Sequence, residues 1–215
     1  MNAPSSQQRL VIAIDGPSAS GKGTLAKRLA GHFRLPHLDT GMLYRAVGWV
    51  ALKTGQFPAD VAAHLTAGDL VDPVLRGDDA GQQGSKVAAM PEVRANLLNF
   101  QKEFASQGRG AVLDGRDIGT VICPDAPVKF FVTATPEARA ERRYQELRGR
   151  GLDTIKPRVL AEMAERDRRD SERAAAPLIA APDAYHLDTS DMDADAAFAA
   201  AVAFIERKGF RSAGP

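Results

Sequence analysis

Cysteine is almost missing from this chain of 215 residues. Cys123 is the only one, so no internal disulfide can form, and a reducing, cytoplasmic setting is expected. Net charge is nearly missing too: 28 lysines and arginines face 27 aspartates and glutamates, a formal balance of +1. Bulk charge therefore gives no support for a partner such as a nucleic acid or a membrane surface. No apolar run approaches the length needed to cross a bilayer. The polar stretch Met1–Arg9 has no apolar centre of the kind a secretory leader carries. Internal repeats and low-complexity linkers are absent as well. With 44% hydrophobic and 26% charged residues, what remains is an ordinary soluble globule. It is long enough for one well-buried α/β domain with small inserted flaps.

Five short apolar or β-branched stretches read as strands: Leu10–Asp15, Pro36–Asp39, Ala111–Asp114, Val128–Thr133 and Ala184–Asp188. Helical stripes lie between them. Leu25, Ala26, Leu29, Ala30 and Phe33 form one, and Leu43, Val47, Val50 and Ala51 a second. Val93, Leu97, Phe100 and Phe104 form a third, started by Pro91, and Phe198, Ala201, Val202 and Ile205 close the series. Strands alternating with helices predict a five-stranded parallel sheet covered on both faces. In such a sheet ligands sit beyond the carboxyl ends of the strands, where Asp15, Asp39, Asp114, Thr133 and Asp188 fall. Two stretches break the rhythm. Asp69–Gly84 reads as a loop or small flap, and Arg139–Arg173 holds ten of the twenty arginines. The second is interrupted by Arg148-Gly149-Arg150-Gly151 and restarts at Pro157. Gly209–Pro215 reads as a frayed tail.

Between the first strand and the first helix stands Gly16-Pro17-Ser18-Ala19-Ser20-Gly21-Lys22-Gly23-Thr24. Glycines let the backbone wrap closely with its N–H groups inward. The new helix adds unpaired N–H groups and a positive dipole end, and Lys22 a mobile full charge. The usual spacing is glycine, four residues, Gly-Lys, then Ser or Thr; here Gly23 intervenes before Thr24. A tight strand-to-helix turn with an incidental lysine is the bland alternative. Strand, turn and helix in this order, with glycines, lysine and threonine at matching offsets, favour a nucleoside triphosphate.

The arginines suit a second phosphate. Phosphoryl transfer crowds negative charge into one volume and needs neutralisation more than covalent help. Arginine's planar fork matches phosphate oxygens. Helical spacing sets Arg166, Asp170 and Arg173 on one face, two donors flanking one acceptor. Charge alone favours a solvated helix laced with ion pairs; the glycine-rich loop is what raises the functional reading. Asp114, in Asp114-Gly115-Arg116-Asp117, ends a strand where a Mg²⁺-organising carboxylate belongs in this class. Asp39-Thr40 opens a helix whose first turn offers backbone N–H groups, with Arg45 one turn further on.

Taken together, GPSASGKGT, LDTGMLYRA from Leu38, SKVAAMPEVR from Ser85, DGRDIGTVICPDAPVKFFV from Asp114 and ERDRRDSERAAAPL from Glu165 resemble the bacterial cytidylate kinases. The resemblance runs from Leu10 to about Phe204. It implies a P-loop NTPase fold in a single domain, with a monophosphate-binding flap (about 40–110) and an arginine-rich lid (about 148–173). It implies that Gly16–Thr24 binds ATP phosphates, with Lys22 bridging donor and acceptor. Arg45, Arg116 and Arg173 would hold the acceptor monophosphate, beside Asp39, Thr40 and Asp114. Arg166 and Asp170 match the ribose-contacting pair, and Ser85, Arg94 and Asp117 the cytosine readers. The segment from about Phe57 to Gly84 is shorter than the family pattern, so its small sheet is expected to be reduced or absent. Thr40 stands where the family often has Ser.

The expected reaction passes the γ-phosphate of ATP to CMP or dCMP. Lys22, Arg116 and Arg173 are the catalytic candidates, and Mg²⁺ is expected near Thr24 and Asp114, partly through water. The enzyme is expected to work as a monomer. Two rivals stand beside this reading: a kinase with another small acceptor (UMP, dTMP or a metabolite), and a nucleotide-dependent switch. Against the switch, the chain lacks an Asn-Lys-x-Asp guanine-reading motif.

Overall fold

The computed structural model describes residues 9–212. Five strands, β1 (Leu10–Asp15), β2 (His37–Asp39), β3 (Gly110–Gly115), β4 (Val128–Thr133) and β5 (Tyr185–Asp188), make one sheet in the order β2-β3-β1-β4-β5. All pairs are parallel, with Ile14 beside Asp114, Asp39 beside Asp114 and Thr133 beside Asp188. β1 is central, and the chain leaves it first towards one edge and later towards the other. The carboxyl end of β1 is therefore the switch point at which such sheets open a crevice.

Eight α-helices lie among the described residues: α1 (Lys22–Phe33), α2 (Thr40–Thr54), α3 (Pro58–Ala63), α4 (Asp78–Val87), α5 (Pro91–Ser106), α6 (Pro136–Gly149), α7 (Lys156–Glu172) and α8 (Ala194–Arg207). Strand alternation sorts the core into two layers. Ala13, Ala111 and Leu113 pack under α2 and α5 with Leu43, Val47, Val93 and Leu97. Ile12, Ile14, Val112, Phe130 and Val132 pack against α1 and α8 with Leu25, Leu29, Ala201 and Ile205. A smaller cluster of Ala140, Leu147, Val159 and Met163 ties α6 to α7.

Three expectations need correction. Asp69–Gly84 is not a loop: after two short 3₁₀ turns (Ala67–Leu70 and Pro73–Arg76), α4 begins at Asp78. Tertiary packing overrides weak propensity here. A Cβ on Gly84 would sit 3.0 Å from the Arg45 backbone, and one on Gly48 2.8 Å from Gln83, so small residues let α2 and α4 meet backbone to backbone. Phe100 is 47% exposed, and α5 buries Gln101 and Ala105 instead, besides Val93 and Leu97. The tail is ordered at its start: the amide of Phe210 donates to Ile205 O (3.3 Å) and its ring packs on the second core layer, while 213–215 lie outside the described residues. As expected, residues 57–84 contain no strand.

Candidate active site

The glycine-rich turn wraps the carboxyl end of β1. Gly16 has φ +153°, and a Cβ there would run into the carbonyl oxygen of Val132, so only glycine lets the loop lie this close to β4. α1 starts at Lys22 with no capping side chain and no acid in its first turn. Its amide end is left for an anion. The turn forms one wall of a cavity of about 370 Å³ that Asp39, Arg45, Asp114, Arg116, Arg143 and Arg166 also line. Lys22 Nζ donates to Pro17 O (3.2 Å). Burial and the nearby Arg116 charge pull its ammonium down to about 7, against the pull of Asp114 and Asp39.

Asp114 is buried, and one carboxylate oxygen accepts from His37 Nε2 (2.7 Å). Its other oxygen faces Gly23, where a Cβ would lie 3.7 Å away. Thr24 and Asp114 both line the phosphate cavity. A hydroxyl and a carboxylate are the hard oxygen donors that Mg²⁺ takes, so these residues fit that ion. Among the described residues no group of three or more His, Cys, Asp or Glu side chains could hold a metal.

The acceptor-side residues meet in an adjoining cavity. Thr40, Arg45, Ser85, Arg94, Arg116, Asp117, Arg166, Asp170 and Arg173 all line it. Its volume is about 50 Å³, small beside the roughly 300–1,000 Å³ of ligand pockets. Ion pairs fill it. Arg116 Nε donates to Asp170 Oδ2 (2.7 Å), and Arg94 pairs with Asp117. Arg45 donates to Leu75 O (2.8 Å), and Thr40 Oγ1 to Asp114 O (2.9 Å). Burial raises the Asp170 carboxyl, but Arg116 and Arg166 bring it below its ordinary range. Burial and Arg116 take Arg166 down to about 9. Two guanidinium nitrogens, Arg166 Nε and Arg173 Nη2, are buried without a hydrogen-bond partner, donors for an incoming anion or hydroxyl.

Two details differ from the helical reading. α7 ends at Glu172, and Arg173 turns away to place Nη2 3.7 Å from Asp117 Oδ1. Asp170 is flanked instead by Arg116, with Arg166 at 4.0 Å. The Ser85 hydroxyl faces Asp170 Oδ1 (3.3 Å) rather than Asp117.

Several residues of the site escaped sequence reasoning. His37 braces Asp114. Tyr44 lines the acceptor cavity, with the Arg94 guanidinium 5.4 Å from its ring centre. Arg143 pairs with Asp78, Arg150 Nη1 donates to Arg76 O (3.0 Å) and Arg169 Nη2 to Gln82 Oε1 (2.6 Å). These contacts latch α6, the residue that follows it and α7 onto α4 and the 3₁₀ turn before it. Thr24, Leu25, Arg142, Thr189 and Met192 line a further cavity of about 250 Å³ beside the phosphate loop. There Arg142 Nη1 donates to Thr189 Oγ1 (2.9 Å), and that hydroxyl donates to Ser20 O (3.0 Å). Arg142 and Arg143 fall inside the arginine-rich block, but spacing alone could not assign them to different cavities.

Comparisons with known proteins point to one family. The family model described as Cytidylate kinase matches residues 12–207. The cytidylate kinase of Paramagnetospirillum magneticum is 57% identical over 207 residues, covering 92% of this chain and 98% of that one. That of Xanthobacter autotrophicus is 58% identical over 204 residues, with 93% and 98% covered. Among solved structures, a gluconokinase from Sinorhizobium meliloti matches with a TM-score of 0.51 at 16% identity, covering 93% of each chain. That likeness speaks to the fold alone, a P-loop kinase fold.

Proposed function

The chain belongs to the cytidylate kinase family, and on that premise we propose how its side chains carry the reaction. The enzyme transfers the γ-phosphate of ATP to CMP or dCMP, giving ADP and CDP or dCDP. One observation supports the assignment of residues above all. Arg45, Arg116 and Arg166 line both the phosphate cavity and the acceptor cavity, so a phosphoryl group crossing from one to the other meets positive charge throughout.

In this reading Gly16–Thr24 holds the ATP phosphates and Lys22 reaches between donor and acceptor. Arg45, Arg116 and Arg173 exchange their protein partners for the acceptor phosphate, and Arg116 and Arg173 stabilise the migrating group. The acceptor oxygen is already anionic, so no strong general base is needed. Arg166 and Asp170 take the ribose. Asp117 accepts the exocyclic amine of cytosine while Arg94 serves its ring acceptors, with Ser85 alongside. Uracil turns a carbonyl towards Asp117 and leaves buried partners mismatched. Thr24 and Asp114 would hold Mg²⁺, which when bound neutralises charge on the β- and γ-phosphates. Residues of about 148–173 act as the lid over a flap of about 40–110, closing to exclude water. The same reading makes the protein a cytoplasmic monomer.

Arg173→Ala tests it. The variant is expected to lose about 10²–10³-fold in kcat/KM for CMP, the cost of removing one preorganised donor to developing charge. Unchanged turnover and unchanged acceptor affinity would refute the role of the lid.

A further inference from the structure

Asp15 is a strand-end acid that the reaction as described does not use. It is 3% exposed, and its carboxylate does not reach the phosphate cavity. One oxygen accepts from the amide of Ile118 (2.7 Å) and the other from the amide of Gly119 (2.8 Å). Those amides open a five-residue π-type turn, Ile118–Ile122, which begins directly after Asp117. The Asp117 carbonyl accepts from Val121 (2.9 Å) and Ile122 (3.2 Å), so the turn closes on the residue assigned to the cytosine amine. Gly119 leaves no slack. A Cβ there would lie 3.4 Å from Asp15 Oδ2 and 3.3 Å from Lys129 Cδ. The carboxylate is thus a two-pronged clamp, charge-assisted on both prongs, gripping the backbone next to Asp117. The residue following Asp15 is Gly16, the first of the phosphate loop.

We propose that Asp15 is a positioning residue for acceptor-base recognition: through Ile118 and Gly119 it fixes Asp117 against Arg94 and Arg173, and so tunes the choice of cytosine over uracil. This inference rests on the reading of Asp117 as the amine acceptor. Burial raises the Asp15 carboxyl to about 7, with the Asp117 charge adding to the rise and the two amides and Arg116 opposing it. The other charged or titratable groups facing it are Cys123, beyond the π-type turn, and Lys129 on β4. The Lys129 ammonium is directed to Asp183 (2.8 Å). The clamp holds fully only when the carboxylate is ionised, because a protonated oxygen is a much weaker acceptor for its amide and the charge assistance is lost.

The experiment compares kcat/KM for CMP and UMP, with ATP as donor, in the wild type, Asp15→Asn and Asp117→Asn. Asparagine keeps one acceptor and turns an N–H against the other amide. Asp15→Asn is expected to lower the CMP-to-UMP ratio by about tenfold, roughly the loss of one charge-assisted hydrogen bond. The change should fall on the KM for CMP, with the KM for ATP within about twofold. Asp117→Asn is expected to abolish the preference. If Asp117→Asn abolishes it and Asp15→Asn leaves it intact, the clamp is overturned while the reading of Asp117 stands. If Asp117→Asn keeps the preference, that reading fails and takes the clamp with it. Should Asp15→Asn not fold, the wild-type ratio against pH decides. Titration of the acceptor phosphate cancels in the ratio, and neither base titrates near neutrality. The ratio is expected to rise over the range in which the Asp15 carboxyl, followed by carbon NMR, ionises, expected at about 7; a ratio that stays flat across that measured range overturns the proposal.

Discussion

At the scale of residues, the sharpest consequence lies in how Asp15 is ionised. Its native carboxyl is raised from 3.8 to about 7 by burial, so across that window the native state binds more protons than the unfolded chain. Stability contributed by this group therefore falls as pH rises from about 4 to about 7, then levels off. Asp15→Asn does not titrate. Its Tm relative to the wild type is expected to climb between pH 4 and pH 7 and to stay flat above, as read by thermal scans across that range. A difference independent of pH would mean that Asp15 is ionised throughout. The five strand-end positions were legible in the sequence as one level of the sheet, but their duties were not. Asp39 and Asp114 line the phosphate cavity, Asp15 grips backbone amides, and exposed Asp188 binds Ser190. Spacing puts an acid at the end of a strand; which neighbour it meets depends on the turn of another segment.

Among elements, those with a strong period were readable and the one built by contact was not. The stripe Leu25, Ala26, Leu29, Ala30 and Phe33 is buried as a set, because α1 packs on the sheet along one face. The sequence of α4 offers glycines and glutamines with no apolar stripe, and its helix exists because Gly48 and Gly84 allow α2 to approach. That approach sets Arg45 beside Leu75 and Gly77 (2.8 and 3.4 Å to their carbonyls), and it presents Asp78 and Gln82 to Arg143 and Arg169. In Asp78→Ala/Gln82→Ala, with Asp79 still in the first turn of α4, amide hydrogen exchange is expected to quicken in both α4 and α7. Surface pairs contribute little to global stability, so the Tm should move by no more than about 2–4 °C. Unchanged exchange in both helices would show that α4 and α7 do not hold one another.

For the whole molecule, the alternation of strands and helices implied the sheet, and the order β2-β3-β1-β4-β5 explains why chemistry gathers at the carboxyl ends of its central strands. The switch point at β1 brings the loop after one strand, the Arg116 turn after another and the α6–α7 arginines around a single volume. No helix of the described residues is long and apolar enough to cross a membrane. The acceptor cavity, about 50 Å³ and filled by Arg116–Asp170 and Arg94–Asp117 pairs, must open for a nucleotide. In the proposed reading those pairs stand in for the ligand, the guanidiniums awaiting its phosphate and the carboxylates its ribose and base.

The most direct measurement is a coupled ADP-release assay with ATP and a panel of nucleoside monophosphates at equal concentration. CMP and dCMP are expected to be turned over well above UMP, and AMP least of all. Equal turnover of AMP and CMP, or ADP release that needs no acceptor, would contradict the account.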